Sequence, residues 1–332
     1  MTDALAAERE AEAFVRGLLA GDRRVLARTI TLLESRRPDR LAVGQKVLEA
    51  VLPRSGRAHR LGITGSPGVG KSTFIEAFGL HLVDRGLRVA VLAVDPSSPV
   101  SGGSILGDKT RMEELSRRPE AFIRPSPSGG SLGGVAHRTR EAMLVCEAAG
   151  FDVVLVETVG VGQSEVAVAG MVDLFAVLLQ PGSGDELQGL KRGVLELADL
   201  LLVNKADGEL EPLAERTRAE YERALGLLRP HSRSFETRVQ CLSARTGRGI
   251  PEVWETVRAH RRALEESGEL VERRREQARA WMWSLVDEEL HRAFREHPAV
   301  EGRIEALEAA VGNHEITPAA AARELLELFR KG

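Results

Sequence analysis

The chain has 332 residues, a formal net charge of -3, 43% apolar and 29% charged residues. That length supports a sizeable core and about two domains, and the near-neutral charge gives no electrostatic footprint for nucleic acid. Aromatics make up only 4%, so an aliphatic core is expected, and Cys146 and Cys241 are too few and too far apart for a disulfide framework or a thiolate metal cluster. The opening MTDALAAEREAEAF is acidic and lacks an apolar h-region, and no run of about 18 apolar residues follows. No signal peptide and no membrane span are expected, and a cytoplasmic location is.

Residues 1–57 read as a helical extension. Phe14, Val15, Leu18 and Leu19 share one face. Leu26, Ile30 and Leu33 make a second stripe, ended near Pro38. Val47, Leu48, Val51 and Leu52 make a third, ended by Pro53 and Gly56. Residues 58–258 alternate strand and helix, with strands expected near 61–64, 88–95, 121–124, 152–157, 173–179, 199–204 and 239–243. Continuous aliphatic runs such as VAVLAV at 89–94 and VVLV at 153–156 suit parallel strands buried on both faces. The helices between them suit right-handed crossovers. The fold class is therefore α/β, a doubly wound, mostly parallel sheet with helical N- and C-terminal extensions, and ligand is expected at the carboxyl ends of the strands. Residues 259–332 return to helix. One long segment runs from Arg273 to Glu296, with Met282, Val286, Leu290 and Phe294 on a face. Val300, Ile304, Leu307 and Val311 form the next stripe, and Thr317 reads as the N-cap of a last helix with Pro318 at its first position.

The chemistry collects at the strand ends. GSPGVGKS at 65–72 fits the phosphate-loop pattern G-x-x-x-x-G-K-[ST], set between a strand and a helix. Gly65, Ser66, Pro67, Gly68, Val69 and Gly70, with Thr73 of the helix, are expected to surround phosphate, because backbone N–H groups and the helix N-terminus point at the anion. Lys71 is expected to reach the β- and γ-phosphates and the Ser72 hydroxyl to hold Mg²⁺. The second strand ends in Asp95, and the glycine-rich run beyond it carries Asp108; both are candidates near the metal. Glu157 ends the fourth strand with Gly160 three residues on, an acid to anchor Mg²⁺ through water and a glycine N–H to sense the γ-phosphate. Val161 stands where Ras-like enzymes carry their water-positioning glutamine, so intrinsic hydrolysis is expected to be slow.

The base is read further on. Asn204, Lys205 and Asp207 form N-K-x-D after a buried strand. The Asp207 carboxylate can accept from guanine N1 and its exocyclic amine, where adenine offers no matching donors. Lys205 can lie along the base and Asn204 can brace the loops. Ser243, Ala244 and Arg245 match an S-A-K loop with Arg for Lys, and the Ala244 N–H is expected to meet guanine O6. The ligands expected are GTP or GDP with Mg²⁺.

At this point VLAVDPSSPVSGGSILGDKTRM, FIRPSPSGGSLGGVA, VETVGVGQSE, GDELQGLKRG and VNKAD together resemble the MeaB/ArgK/MMAA family of P-loop GTPases, over roughly residues 20–300. The resemblance implies a GTPase chaperone of adenosylcobalamin-dependent acyl-CoA mutases, chiefly methylmalonyl-CoA mutase, that gates cofactor loading and protects the mutase. It implies a homodimer whose arm is residues 259–332. It places Asp95, Asp108 and Glu157 around the metal of Lys71 and Ser72, and it implies that Asp185 and Lys191, in a mobile third segment, couple the nucleotide to the mutase. Departures are Ser101, Pro99 and Arg192, none at a ligand position, and Ser66 where dimer-activated ATPases of the wider class carry an extra lysine. Two other readings stand beside this one. A nickel-type maturation GTPase needs a Cys/His cluster near the switches, and the family's legacy label as a transport-system kinase needs an acceptor pocket.

Overall fold

The computed structural model describes residues 2–35, 37–94, 112–125, 132–158, 164–182, 192–226 and 230–331. Seven strands lie in one sheet: β1 (His59–Gly65), β2 (Val89–Val94), β3 (Ala121–Arg124), β4 (Val153–Thr158), β5 (Leu174–Leu179), β6 (Leu200–Val203) and β7 (Arg238–Cys241). Their order is β3-β2-β4-β1-β5-β6-β7, and every pairing is parallel. The uninterrupted aliphatic runs explain this, since helices cover both faces and neither side of a strand needs to be polar. β1 is central. Connections from it first build outward through β2 to β3, then through β5 to β7 on the other side. The crevice at the carboxyl end of β1 is therefore a topological switch point, where open α/β sheets bind ligands.

The helix that follows β1, α4 (Lys71–Val83), buries Phe74, Ile75, Phe78 and Leu82 against β-strand residues Leu61, Ile63 and Leu155. Phe74 and Phe78 stack with centroids 5.4 Å apart. Each such side chain contributes about 1.5–3 kcal/mol of burial, so the phosphate loop stands on a firm base. The remaining helices of the sheet region are α5 (Glu113–Arg117), α6 (Leu132–Ala148), α7 (Ser164–Ala169), α8 (Arg192–Glu196), α9 (Glu211–Leu225) and α10 (Ile250–Glu266).

Before the sheet come α1 (Thr2–Leu19), α2 (Arg23–Leu33) and α3 (Pro38–Val51). Asp22 caps α2 by accepting from Arg24 N at 2.8 Å and Val25 N at 3.2 Å. Pro38 opens α3 at its first turn, which its fixed φ and missing N–H permit. Phe14, Leu18, Leu26, Ile30, Leu33, Val47, Leu48 and Val51 are buried, but Leu19 and Leu52 of the expected stripes are 46% and 52% exposed. Both sit at a helix end, where the helical period that placed them no longer holds. The three helices are tied to the sheet region by Gln45 Nε2 donating to Glu141 Oε1 at 2.7 Å on α6 and by the Arg124–Glu34 ion pair.

The chain falls into two compact units, residues 1–277 and 278–332. α11 (Glu269–Arg295) begins in the first. There its opening turns meet the amino ends of the strands: Arg274 makes a fork on Asp173 at 2.7 Å through both Nε and Nη2, and Arg273 reaches Asp199 at 3.3 Å. Burial alone would raise the Asp173 carboxyl, but Arg274, then Arg60, hold it below the usual carboxylate range. Asp199 is likewise lowered against burial, by His260 and Arg273. On β1 the buried Arg60–Glu147 pair is bidentate, at 2.8 and 2.7 Å. In the second unit α12 (Pro298–Gly312) and α13 (Pro318–Lys331) pack through Val300, Leu307 and Ala321. Phe329 packs edge-on against Phe294 and His297, each with centroids 5.3 Å apart. Thr317 caps α13, its Oγ1 accepting from Ala320 N at 3.2 Å. On α11, Met282, Trp283, Val286 and Leu290 are exposed. Among the described residues no helix is long and apolar enough to cross a membrane.

Candidate nucleotide-binding site

The loop between β1 and α4 is shaped by its glycines. Gly65 has φ 151° and a Cβ there would lie 2.6 Å from the Leu178 carbonyl oxygen of β5. Gly70 has φ 97° and a Cβ there would lie 2.6 Å from Asn204 Nδ2. Both positions combine a backbone that side chains disfavour with a neighbour that blocks them. Gly70 is the N-cap of α4 and supplies no side-chain cap, so the first-turn amides keep their donor capacity for an anion. Val69 N donates to Ser66 O at 3.3 Å, closing the turn. Lys71 Nζ donates to the carbonyls of Gly65 at 2.7 Å and Ser66 at 3.2 Å, so the ammonium lies folded over the loop it follows.

The sheet register brings the acid alongside. Glu157 of β4 is level with Ile63 of β1 and with Ala93 of β2. Its Oε1 accepts from Ser72 Oγ at 3.3 Å, so a hydroxyl and a carboxylate, hard oxygen donors of the kind Mg²⁺ takes, converge at the head of α4. They fit such an ion, with Ser72 and Glu157 as the residues that would hold it. One position on, Thr158 Oγ1 donates to Thr64 Oγ1 at 2.7 Å, a buried bond that locks the ends of β1 and β4 together. Sequence reading missed this pair, because two threonines 94 residues apart carry no local signal. Asp95, Asp108, Gly160, Val161, Asp185 and Lys191 lie outside the described residues.

The N-K-x-D and S-A-R loops close the other side. Asn204 is 2% exposed; its Nδ2 donates to Val69 O at 2.9 Å and its Oδ1 accepts from Ala244 N at 3.0 Å. One side chain thus spans the phosphate loop and the loop after β7, which is the bracing expected of it. The Ala244 N–H, expected to meet guanine O6, donates to Asn204 in this structure. Lys205 adopts φ 60°, a left-handed conformation costing roughly 1–3 kcal/mol in a side-chain residue, and its Nζ donates to Gly68 O at 2.8 Å. Asp207 Oδ2 accepts from the Ser243 hydroxyl. That bond fixes the carboxylate while leaving most of its lone pairs for a ligand. Gly70, Thr73, Asn204, Lys205, Asp207, Leu210, Ala244 and Arg245 line a cavity of about 380 Å³, near the lower bound for small-molecule sites. Leu210, three residues past Asp207, was not foreseen; it is 43% exposed and gives this cavity an apolar patch.

A glycine loop after the central parallel strand, a helix N-terminus behind it, a lysine folded over it and an acid on the next strand define a P-loop nucleotide-binding protein. The sequence matches, over residues 26–299, the family described as Methylmalonyl Co-A mutase-associated GTPase MeaB. It is 48% identical to GTPase ArgK of Escherichia coli (strain K12), covering 95% of this chain and 96% of that one. It is 48% identical to the Methylmalonic aciduria type A homolog, mitochondrial, of Mus musculus, covering 95% of this chain and 78% of that one. A crystal structure titled LAO/AO transport system kinase superimposes with a TM-score of 0.78 at 40% identity, covering 97% of this chain and 98% of that chain. The chain belongs to the MeaB family of P-loop GTPases.

Proposed function

We propose that this chain is a guanine-nucleotide switch that attends an adenosylcobalamin-dependent acyl-CoA mutase, gating cofactor loading and protecting the mutase, with methylmalonyl-CoA mutase the leading partner. The observation that carries the nucleotide half is the Asp207 carboxylate, held by Ser243 at the rim of a cavity that opens on the phosphate loop. The partner half rests on family membership and on the names of the relatives. In this reading the loop 65–70, Ser72 and Thr73 surround the phosphates and Lys71 leaves its loop carbonyls for the β- and γ-phosphates. Ser72 and Glu157, with Asp95 and Asp108, would hold Mg²⁺, which would supply positive charge against the phosphates. Gly160 senses the γ-phosphate, Asp185 and Lys191 carry its state to the mutase, and hydrolysis is slow until a partner stimulates it.

Residues 259–332 serve as a dimerisation arm. The exposed stripe Met282, Trp283, Val286 and Leu290 supports this, since contiguous exposed apolar surface marks interaction sites. A nickel-maturation role is disfavoured by Cys146, which lies in the hydrophobic core with its thiol pushed up by burial; a thiol that resists ionisation is a poor metal ligand. The test is a pulldown of acyl-CoA mutases with GDP and with a non-hydrolysable GTP analogue, paired with GTP turnover with and without the captured mutase. Nucleotide-dependent capture and faster turnover are expected, with turnover abolished by Lys71→Ala. Capture of no mutase, or normal turnover by Lys71→Ala, would sink the proposal.

A further inference from the structure

The register that pairs β1 with β4 runs from His59 opposite Val153 to Ile63 opposite Glu157 and stops there. One residue further on, β1 still pairs with β5, Thr64 opposite Val177, and β4 still pairs with β2, Thr158 opposite Val94. At that level β1 and β4 are joined through side chains, Thr158 Oγ1 donating to Thr64 Oγ1 at 2.7 Å. The two threonines are 2% and 1% exposed, between the fully buried Val94 and Val177. Successive strand residues point to opposite faces. Ile63 packs with α4 in the core, so the pair faces away from α4 and from the Ser72 hydroxyl. Valines would fill the same space, and replacing both partners of a buried bond by apolar groups of the same shape is nearly neutral for stability. What the bond adds is placement. Threonine is stiff at χ1, so the bond sets the distance between two backbones just where Gly65 opens the phosphate loop and just after Glu157.

We infer that Thr64 and Thr158 are positioning residues of the metal site: their bond holds the end of β4 against the end of β1 and so sets the Glu157 carboxylate at the Ser72 hydroxyl. This deepens, and rests on, the reading of Ser72 and Glu157 as the residues that would hold Mg²⁺. Ser72 follows β1 through the phosphate loop, and Glu157 stands on β4, with its Oε1 3.3 Å from Ser72 Oγ. Splaying the two strand ends would part these two oxygens although neither belongs to the threonine pair. Groups that orient metal ligands typically carry 10–100-fold in metal affinity. This pair acts through backbone, without touching a ligand oxygen, so a loss of about tenfold is expected.

The test is titration of Mg²⁺ into the GDP-bound full chain by calorimetry, with GDP affinity in EDTA and a urea melt measured alongside. In wild type, Mg²⁺ should tighten GDP binding. The double variant Thr64→Val/Thr158→Val should need about tenfold more Mg²⁺ for half-saturation. Its GDP affinity in EDTA and its urea midpoint should stay at the wild-type values. Each single valine removes the whole bond and should lose the same factor in Mg²⁺ affinity, so the two losses should not add. Thr158→Ser keeps the hydroxyl and should bind Mg²⁺ as wild type does. A double variant with wild-type Mg²⁺ affinity overturns the inference. So does one whose urea midpoint or GDP affinity in EDTA falls, because that marks a general loosening of the sheet. Wild type whose GDP binding ignores Mg²⁺ overturns the metal reading beneath it, a separate result visible before any variant is made.

Discussion

Asn204→Ala is the most informative single perturbation of the site, because one side chain holds two loops. Truncation removes the donor to Val69 O and the acceptor for Ala244 N. Val69 is fully buried and Ala244 is 7% exposed, so water cannot readily replace either partner. A buried polar group left unpaired costs about 1–3 kcal/mol, and two of them about 2–6 kcal/mol. The loss can appear as lower global stability. It can also appear as a loosened phosphate loop, since Val69 lies between Gly68 and Gly70. Urea melts with and without saturating GDP, together with GDP titration, separate the two routes. The expected outcome is a lower midpoint in the free protein, or a GDP affinity down by tenfold or more, the summed loss falling in that range. A variant within about 0.5 kcal/mol of wild type in stability, the size of an ordinary surface change, and equal to it in GDP affinity, would show that the bridge is not what joins these loops.

The remaining expectations follow from the same physics. Gly65→Ala sets a methyl 2.6 Å from the Leu178 carbonyl oxygen, backbone in the middle of the sheet that cannot swing away, so nucleotide binding should be lost by titration while the helical circular dichroism persists; undiminished binding contradicts the strained-loop description. Arg274→Ala removes both bonds of the fork and leaves the Asp173 carboxylate, 5% exposed at its side chain, with the Arg60 N–H at 3.1 Å and Arg261 at 4.0 Å, so it should cost about 1–3 kcal/mol in a denaturant melt; a cost under about 1 kcal/mol would mean the fork carries little. His59, packed edge-on to Trp254 at 5.2 Å, has its pKa pushed down from 6.5 to about 4, first by burial and then by Arg261. The unfolded chain therefore binds the extra proton between those values and the folded chain does not. The associated stability is complete above pH 6.5 and is lost as pH falls toward 4, by about 2–3 kcal/mol. His59→Phe should flatten that part of the pH–stability curve, and an unchanged slope would refute the assignment.

Much of this arrangement is written locally. GSPGVGKS, its strand and its helix, the acid ending VVLVE and the N-K-A-D after LLLV are all adjacent residues acting through adjacent backbone, so their pattern reports their structure. Strand ends differ from expectation by one or two residues, as ends fray and hydrogen bonding stops before the aliphatic run does. Neighbour relations were not legible. Nothing in the β4 sequence says that it inserts between β1 and β2, although that insertion is what sets Glu157 beside Ser72. The acid–arginine pairs at the amino ends of β1, β5 and β6 were also invisible, since Asp173 and Arg274 are 101 residues apart. Ala244 shows the limit of motif reading. The S-A-x pattern located the loop, but nothing in it showed that its N–H donates to Asn204, 40 residues earlier.

The central claim is that this site selects guanine through Asp207, whose carboxylate accepts from N1 and the 2-amino group. Xanthine replaces that amine with a carbonyl, which an amide side chain can meet and a carboxylate cannot. Titrating GDP and XDP into wild type and Asp207→Asn tests this directly. Wild type should prefer GDP, and the variant should reverse the preference. GDP affinity unchanged in Asp207→Asn, with no gain for XDP, would contradict the account.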